Sequence, residues 1–146
     1  IPVLDTPRSE MPATIAGRWF SGTISSIQYQ SAIDGQSAPT NGSGFYFIID
    51  ADGSYEYGAL ISSTIYNCSS QLRGVERGTV VLDGDSFVTH RHGRVTHLTN
   101  TCGRSADSSL GPAVVTYRWS RDDSSGRERL TLTASDGSAT TYSRWE

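Results

Sequence analysis

All three histidines of the chain fall in one stretch, Thr89-His90-Arg91-His92-Gly93-Arg94-Val95-Thr96-His97. Imidazoles titrate near neutral pH and ligate metals, so such a cluster suits proton transfer or metal binding. His92-Gly93 reads as a two-residue turn joining strands at 86–91 and 94–100. Arg91 then faces Arg94, His90 faces Val95, Thr89 faces Thr96 and Val88 faces His97. Val88, His90, Val95 and His97 share one face; Phe87, Thr89, Arg91, Arg94, Thr96 and Leu98 share the other. His90 and His97 become diagonal neighbours about 5–7 Å apart at Cβ, close enough to relay a proton. They are the candidate catalytic residues. A metal would need a third ligand, which the sequence does not name, so no metal site is assigned. If the other face lines an interior, Arg91 and Arg94 offer two adjacent guanidiniums, suited to a carboxylate, phosphate or sulfate group. The plainer alternatives are solvent-facing histidines, and arginines paired with an acid such as Asp83 or Asp85. One register buries one face, so the two functional readings exclude each other.

Aromatic residues form a second set. Phe45 and Phe47, Tyr55 and Tyr57, and Tyr117 and Trp119 are same-face pairs, extended by Ile49, Ile61 and Val115. Filling a barrel is their ordinary role. Three strands with paired aromatics would over-fill a narrow barrel unless some line a cavity, where hydroxyls and an indole give a ligand polar handles. Tyr55, Tyr57, Tyr117 and Trp119 are therefore the candidate pocket walls, with Arg91 or Arg94, or a histidine, as polar anchor. Catalytic signatures are otherwise absent. There is no Gly-x-Ser-x-Gly elbow and no Gly-rich phosphate loop, and no cofactor is implied. Asp50/Asp52 and Asp83/Asp85 flank turns, which suits solvated turn-formers better than a glycosidase pair.

The elements that must hold these residues are short alternating runs between turns. Ala51-Asp52-Gly53, Asp83-Gly84-Asp85, His92-Gly93 and Asp136-Gly137 tolerate the positive φ of tight hairpins. Strands are predicted at 17–30, 44–50, 54–62, 78–83, 86–91, 94–100, 113–121, 127–134 and 138–145. The stretch 63–77 is ambiguous, with room for a strand near Ser69–Val75. Residues 1–14, with three prolines, read as an extended arm with one helical turn around Ser9–Ala13. Loops are expected at 31–43, long enough to cover a barrel mouth, and at 103–112. The sum is one all-β domain over 15–146, an antiparallel up-and-down barrel of eight to ten strands. Closure is the simplest way for so long a meander to hide its edges.

Composition narrows the setting. At 146 residues the chain suits a single core. Only 18% of residues are charged and the net charge is −3, which implies no nucleic-acid partner. No run of about 20 apolar residues is present to span a membrane. Cys68 and Cys102 lack metal-type spacing and lie beside polar loops, which fits one disulfide, with two free buried thiols as the plainer alternative. Such a chain is expected to be secreted or extracytoplasmic. Oligomeric state is not legible.

Gly17-Arg18-Trp19 opens the first strand after an irregular arm, and Arg144 lies in the last, Tyr142-Ser143-Arg144-Trp145. This arrangement resembles the Gly-x-Trp signature of lipocalins and related calycins. In that family the Trp plugs the closed end of the barrel and an Arg from the last strand covers it. Phe47 to Gly58 also looks like small secreted bacterial lipocalin-like domains. Avidin-like barrels share the Gly-x-Trp opening. The middle of the chain departs from lipocalins: no Thr-Asp-Tyr-like motif and no C-terminal helix follow. The resemblance implies a small hydrophobic molecule bound inside the barrel and implies no reaction. Two other classes stay open. One is a barrel enzyme, a cyclase or isomerase using His90, His97, Tyr or Arg as acid or base. The other is an interaction or inhibitor module acting through the loops at 31–43 and 103–112.

Overall fold

A computed structural model describes residues 7–23, 41–123 and 126–145. Among them are nine strands: β1 (Gly17–Gly22), β2 (Gly42–Ile49), β3 (Ser54–Ile65), β4 (Cys68–Asp83), β5 (Ser86–Asn100), β6 (Ala106–Leu110), β7 (Ala113–Asp122), β8 (Arg129–Thr133) and β9 (Ala139–Arg144). Every pairing is antiparallel. The order β4-β3-β2-β1-β9-β8-β7-β5 closes on itself through a β4–β5 ladder, giving an eight-stranded barrel. β6 lies outside the ring, on the far half of β5. The lid expected at 31–43, and the first strand beyond Thr23, fall largely outside the described residues.

Three of the four glycine turns behave as read. Gly53, Gly84 and Gly137 have φ of 92°, 60° and 91°, the left-handed values a side chain resists. His92-Gly93 does not turn, so the expected hairpin is overturned. Residues 86–100 form one continuous strand, because β4 is long enough to pair with all of it. Leu82–Gly78 pair with Phe87–Arg91, and Arg77–Ser70 pair with Gly93–Asn100. His92 is the extra residue, a β-bulge, opposite the Arg77–Gly78 step. Gly78 admits the tight approach, since a Cβ there would lie 2.2 Å from the His90 carbonyl oxygen. The ambiguous stretch 63–77 belongs mainly to β4, and part of the loop expected at 103–112 is β6. The helical turn lies at Pro12–Ala16 rather than Ser9–Ala13, with Ile15 and Ala16 both donating to the Pro12 carbonyl.

The core fills one end of the barrel. Ile15, Trp19, Ile49, Val80, Phe87 and Leu130 are almost wholly buried there. The N-terminal arm seals that end. Ser9 donates to the Val80 carbonyl, Met11 to Ala51, and Thr79 Oγ1 to Pro7. Trp19 is fully buried, its indole N–H donates to the Ile15 carbonyl at 2.8 Å, and the Arg144 guanidinium lies 4.1 Å above its ring. Both residues thus sit as the Gly17-x-Trp19 reading expects.

β3, β4 and β5 run past the barrel as an extension that also carries β6. Cys68 and Cys102 form a disulfide at its far end, with Cα atoms 5.3 Å apart. No helix among the described residues is long and apolar enough to cross a membrane.

Candidate functional site

The end of the barrel opposite Trp19 is not packed solid. It holds a cavity of about 270 Å³ walled by Phe47, Tyr57, Glu76, Thr89, Arg94, Tyr117, Leu132 and Tyr142, with Ala134, Ser138 and Thr140 at its rim. Alternation places these residues. Trp19, Phe47, Tyr57, Glu76 and Arg94 lie side by side on successive strands, one inward-facing row around the wall.

The bulge at His92 decides what joins that row. Before it the odd-numbered residues of β5 face inward, and Phe87 and Thr89 are buried. A bulge shifts the phase by one, so after it the even-numbered residues take that face. Arg91 and Arg94 therefore point the same way. Both reach Glu76: Arg94 Nη2 and Nε donate to Oε1 at 2.6 and 3.0 Å, and Arg91 Nη1 lies 3.9 Å from it. The other oxygen, Oε2, accepts from the Tyr55 hydroxyl at 2.6 Å. Arg91 Nε also donates to the Gly111 carbonyl, and the Arg94 guanidinium stands 5.8 Å from the centre of the Tyr57 ring.

Burial governs the phenols. It pushes Tyr57 up to about 12, opposed by the Arg94 charge. Tyr117 is raised by burial and then by the Glu76 carboxylate. Tyr142 is raised by burial, and Tyr55 by burial and its hydrogen bond to Glu76. All four are neutral near physiological pH, where they act as O–H donors.

Of the residues read from the sequence, Tyr57, Tyr117 and Arg94 line this cavity, and Arg91 borders it through Glu76. Tyr55 is buried in the core below, behind Glu76. Trp119 is not among the lining residues; its indole N–H donates to the Gly84 carbonyl at the β4–β5 turn. The histidine pair is not brought together. On one continuous strand His90 and His97 are about 20 Å apart, on the face away from the cavity. His97 Nδ1 instead lies 2.6 Å from Asp107 on β6, both exposed. The arginines' acid is Glu76, not Asp83 or Asp85. Among the described residues no His, Cys, Asp and Glu group could hold a metal.

The lining residues that the sequence does not single out include Glu76 and Tyr142. Glu76 sat in the stretch whose strand phase was undecided. Tyr142 carried a usable signal, since alternation puts it on the same face as Arg144, the residue read as covering Trp19. A wider groove of about 550 Å³ crosses the outer wall beside Tyr46, Val75, Val95 and Trp145. Its cations have partners: Arg18 stacks on Trp145, and Arg77 pairs with Glu56 at 3.1 Å. Compared with known protein families and with curated proteins, the chain matches none.

Proposed function

We propose that this chain is a calycin-like, secreted barrel protein that binds one small, mostly apolar ligand in the cavity. The observation that carries the reading is an aromatic-walled cavity at one end of a barrel whose other end is sealed by Trp19 and the N-terminal arm. At about 270 Å³ it lies just below the roughly 300 Å³ at which pockets for drug-sized ligands begin, so the ligand is compact. Phe47, Leu132 and three tyrosine rings supply the apolar contact, and Arg94 supplies the polar anchor. Trp19 under Arg144 supports the calycin reading, and the Cys68–Cys102 disulfide supports an oxidising, extracytoplasmic setting.

Binding is favoured over cyclase or isomerase chemistry by the state of the lining groups. The Glu76 oxygens are taken by Tyr55 and Arg94, and the phenols are held neutral. No histidine is among the described lining residues. Native mass spectrometry of the secreted protein identifies a retained ligand, and titration calorimetry measures its affinity. Tyr57→Ala is expected to weaken binding about ten-fold or more, by removing a wall of the cavity. Trp119→Ala is expected to leave it unchanged. Equal affinity for Tyr57→Ala and the unaltered protein overturns the assignment.

A further inference from the structure

Every polar side chain left over in the cavity can donate, and Arg94 can only donate. Glu76 is the one carboxylate among the described lining residues, and its oxygens are already engaged. Two guanidiniums bracket it, so the cluster carries one net positive charge. Arg94 uses Nε and Nη2 on Glu76 and makes no protein hydrogen bond through Nη1 among the described residues. Its side chain is about a third exposed, facing the cavity, whereas the Glu76 side chain is 10% exposed. The Tyr57, Tyr117 and Tyr142 hydroxyls hydrogen-bond no side chain among the described residues. Thr89 spends its proton on the Val115 carbonyl.

A neutral hydrocarbon would leave those donors and that charge desolvated and unmatched, which is costly in a semi-enclosed site. An ammonium ligand would meet Arg94 head-on. We infer that the ligand is a monoanion, a compact aromatic or aliphatic carboxylate, whose charged end docks on the free side of Arg94 with phenol hydroxyls as further donors. This rests on the proposed binding function and adds its chemical class. Phosphate monoesters, with close to two charges, match the single surplus charge less well. Glu76 thereby acts as a positioning residue: it holds Arg94 against the wall and sets the surplus at one rather than two.

Three isosteric probes separate the outcomes: phenylacetate, phenylacetamide and 2-phenylethylammonium, each titrated calorimetrically into the full chain. Phenylacetate is expected to bind at least about ten-fold tighter than the amide, the scale of one hydrogen bond to a charged group. The ammonium is expected to bind most weakly. Glu76→Gln keeps one acceptor oxygen for Arg94, presents its amide NH2 to the Tyr55 oxygen, and removes the negative charge. It should raise the preference for phenylacetate over the amide several-fold. Arg94→Met leaves Glu76 facing Arg91 alone and the cluster neutral, so it should abolish the preference for the carboxylate while circular dichroism stays that of a folded β protein. Equal binding of acid and amide overturns the anion inference and leaves cavity binding standing. A Glu76→Gln protein whose preference for phenylacetate over the amide does not rise also overturns it. Failure of all three probes, in a protein whose cavity also rejects neutral aromatics, overturns both readings.

Discussion

The barrel builds the same cluster at each end, one carboxylate between two arginines with one of them over an aromatic ring. At the sealed end Glu128 holds Arg121 and Arg144, with Arg144 over Trp19. At the open end Glu76 holds Arg91 and Arg94, with Arg94 beside Tyr57. The difference lies in what the remaining donors do. Arg144 donates to the Ala16 and Thr14 carbonyls and Arg121 to Thr14, so those guanidiniums are spent on tying the N-terminal arm to β7 and β9. Arg91 does similar work on Gly111, but Arg94 keeps donors turned toward an empty volume. A similar arrangement is a structural clasp where backbone carbonyls saturate it and, on the binding function proposed above, a docking point where they do not.

The contrast breaks most sharply on removal of the ring at the sealed end. Trp19→Ala is expected to destabilise the fold by about 3–5 kcal/mol, since it empties a fully buried site under Arg144. Denaturant titration reads the loss; a change under 1 kcal/mol would show that this end is not the packed one. Glu76→Ala comes next, at about 2 kcal/mol, because it strands Arg94 and the Tyr55 hydroxyl, discounted for the partial exposure of Arg94. Unchanged stability there would mean the open-end cluster contributes nothing to the fold.

The two ends should also fail at opposite pH extremes. Tyr57 is raised from 10.0 to about 12. Its stabilising contribution is complete below the unfolded value and is lost as pH rises from about 10 through about 12. Phenolate absorbance should therefore lag that of free tyrosine, and Tyr57→Phe should soften the alkaline loss of stability. Glu128 is lowered, first by its hydrogen bond from Arg144 and then by that from Arg121. Its contribution is present above the ordinary carboxylate value and lost as pH falls below it. Exposure keeps this the smallest effect. Glu128→Gln is expected to flatten the acid limb of stability slightly and leave the alkaline limb alone; the reverse would reassign the clusters.

Much of the barrel was legible because its signals are local. The glycines at 53, 84 and 137 demand turns, and Gly17-x-Trp19 with Arg144 marks the sealed end. The error at His92-Gly93 is instructive. A two-residue hairpin and a one-residue bulge both reverse the odd–even phase, so either divides Phe87 through Leu98 into the same two faces. Arg91 and Arg94 were thus correctly put together, while His90 and His97 were wrongly put close. Choosing between turn and bulge depends on whether β4 offers a partner to both halves of β5, a long-range fact that no window around His92 contains. Glu76 was missed for the same reason, since its strand phase is set by β3 and β5. Trp119 had the right spacing, but the β4–β5 turn offered its indole N–H a carbonyl.

Cys68 and Cys102 sit on the continuation of the ladder that pairs Ser70 with Asn100 and, further along, Glu76 with Arg94. In the oxidised chain this ladder cannot creep. A slip of one residue would carry the two sulfur-bearing positions apart and turn Arg94 to the outer wall. The disulfide is thus a covalent stop on strand alignment, set at the far tip of the extension, and the alignment it guards is the one that gives the barrel mouth its charge.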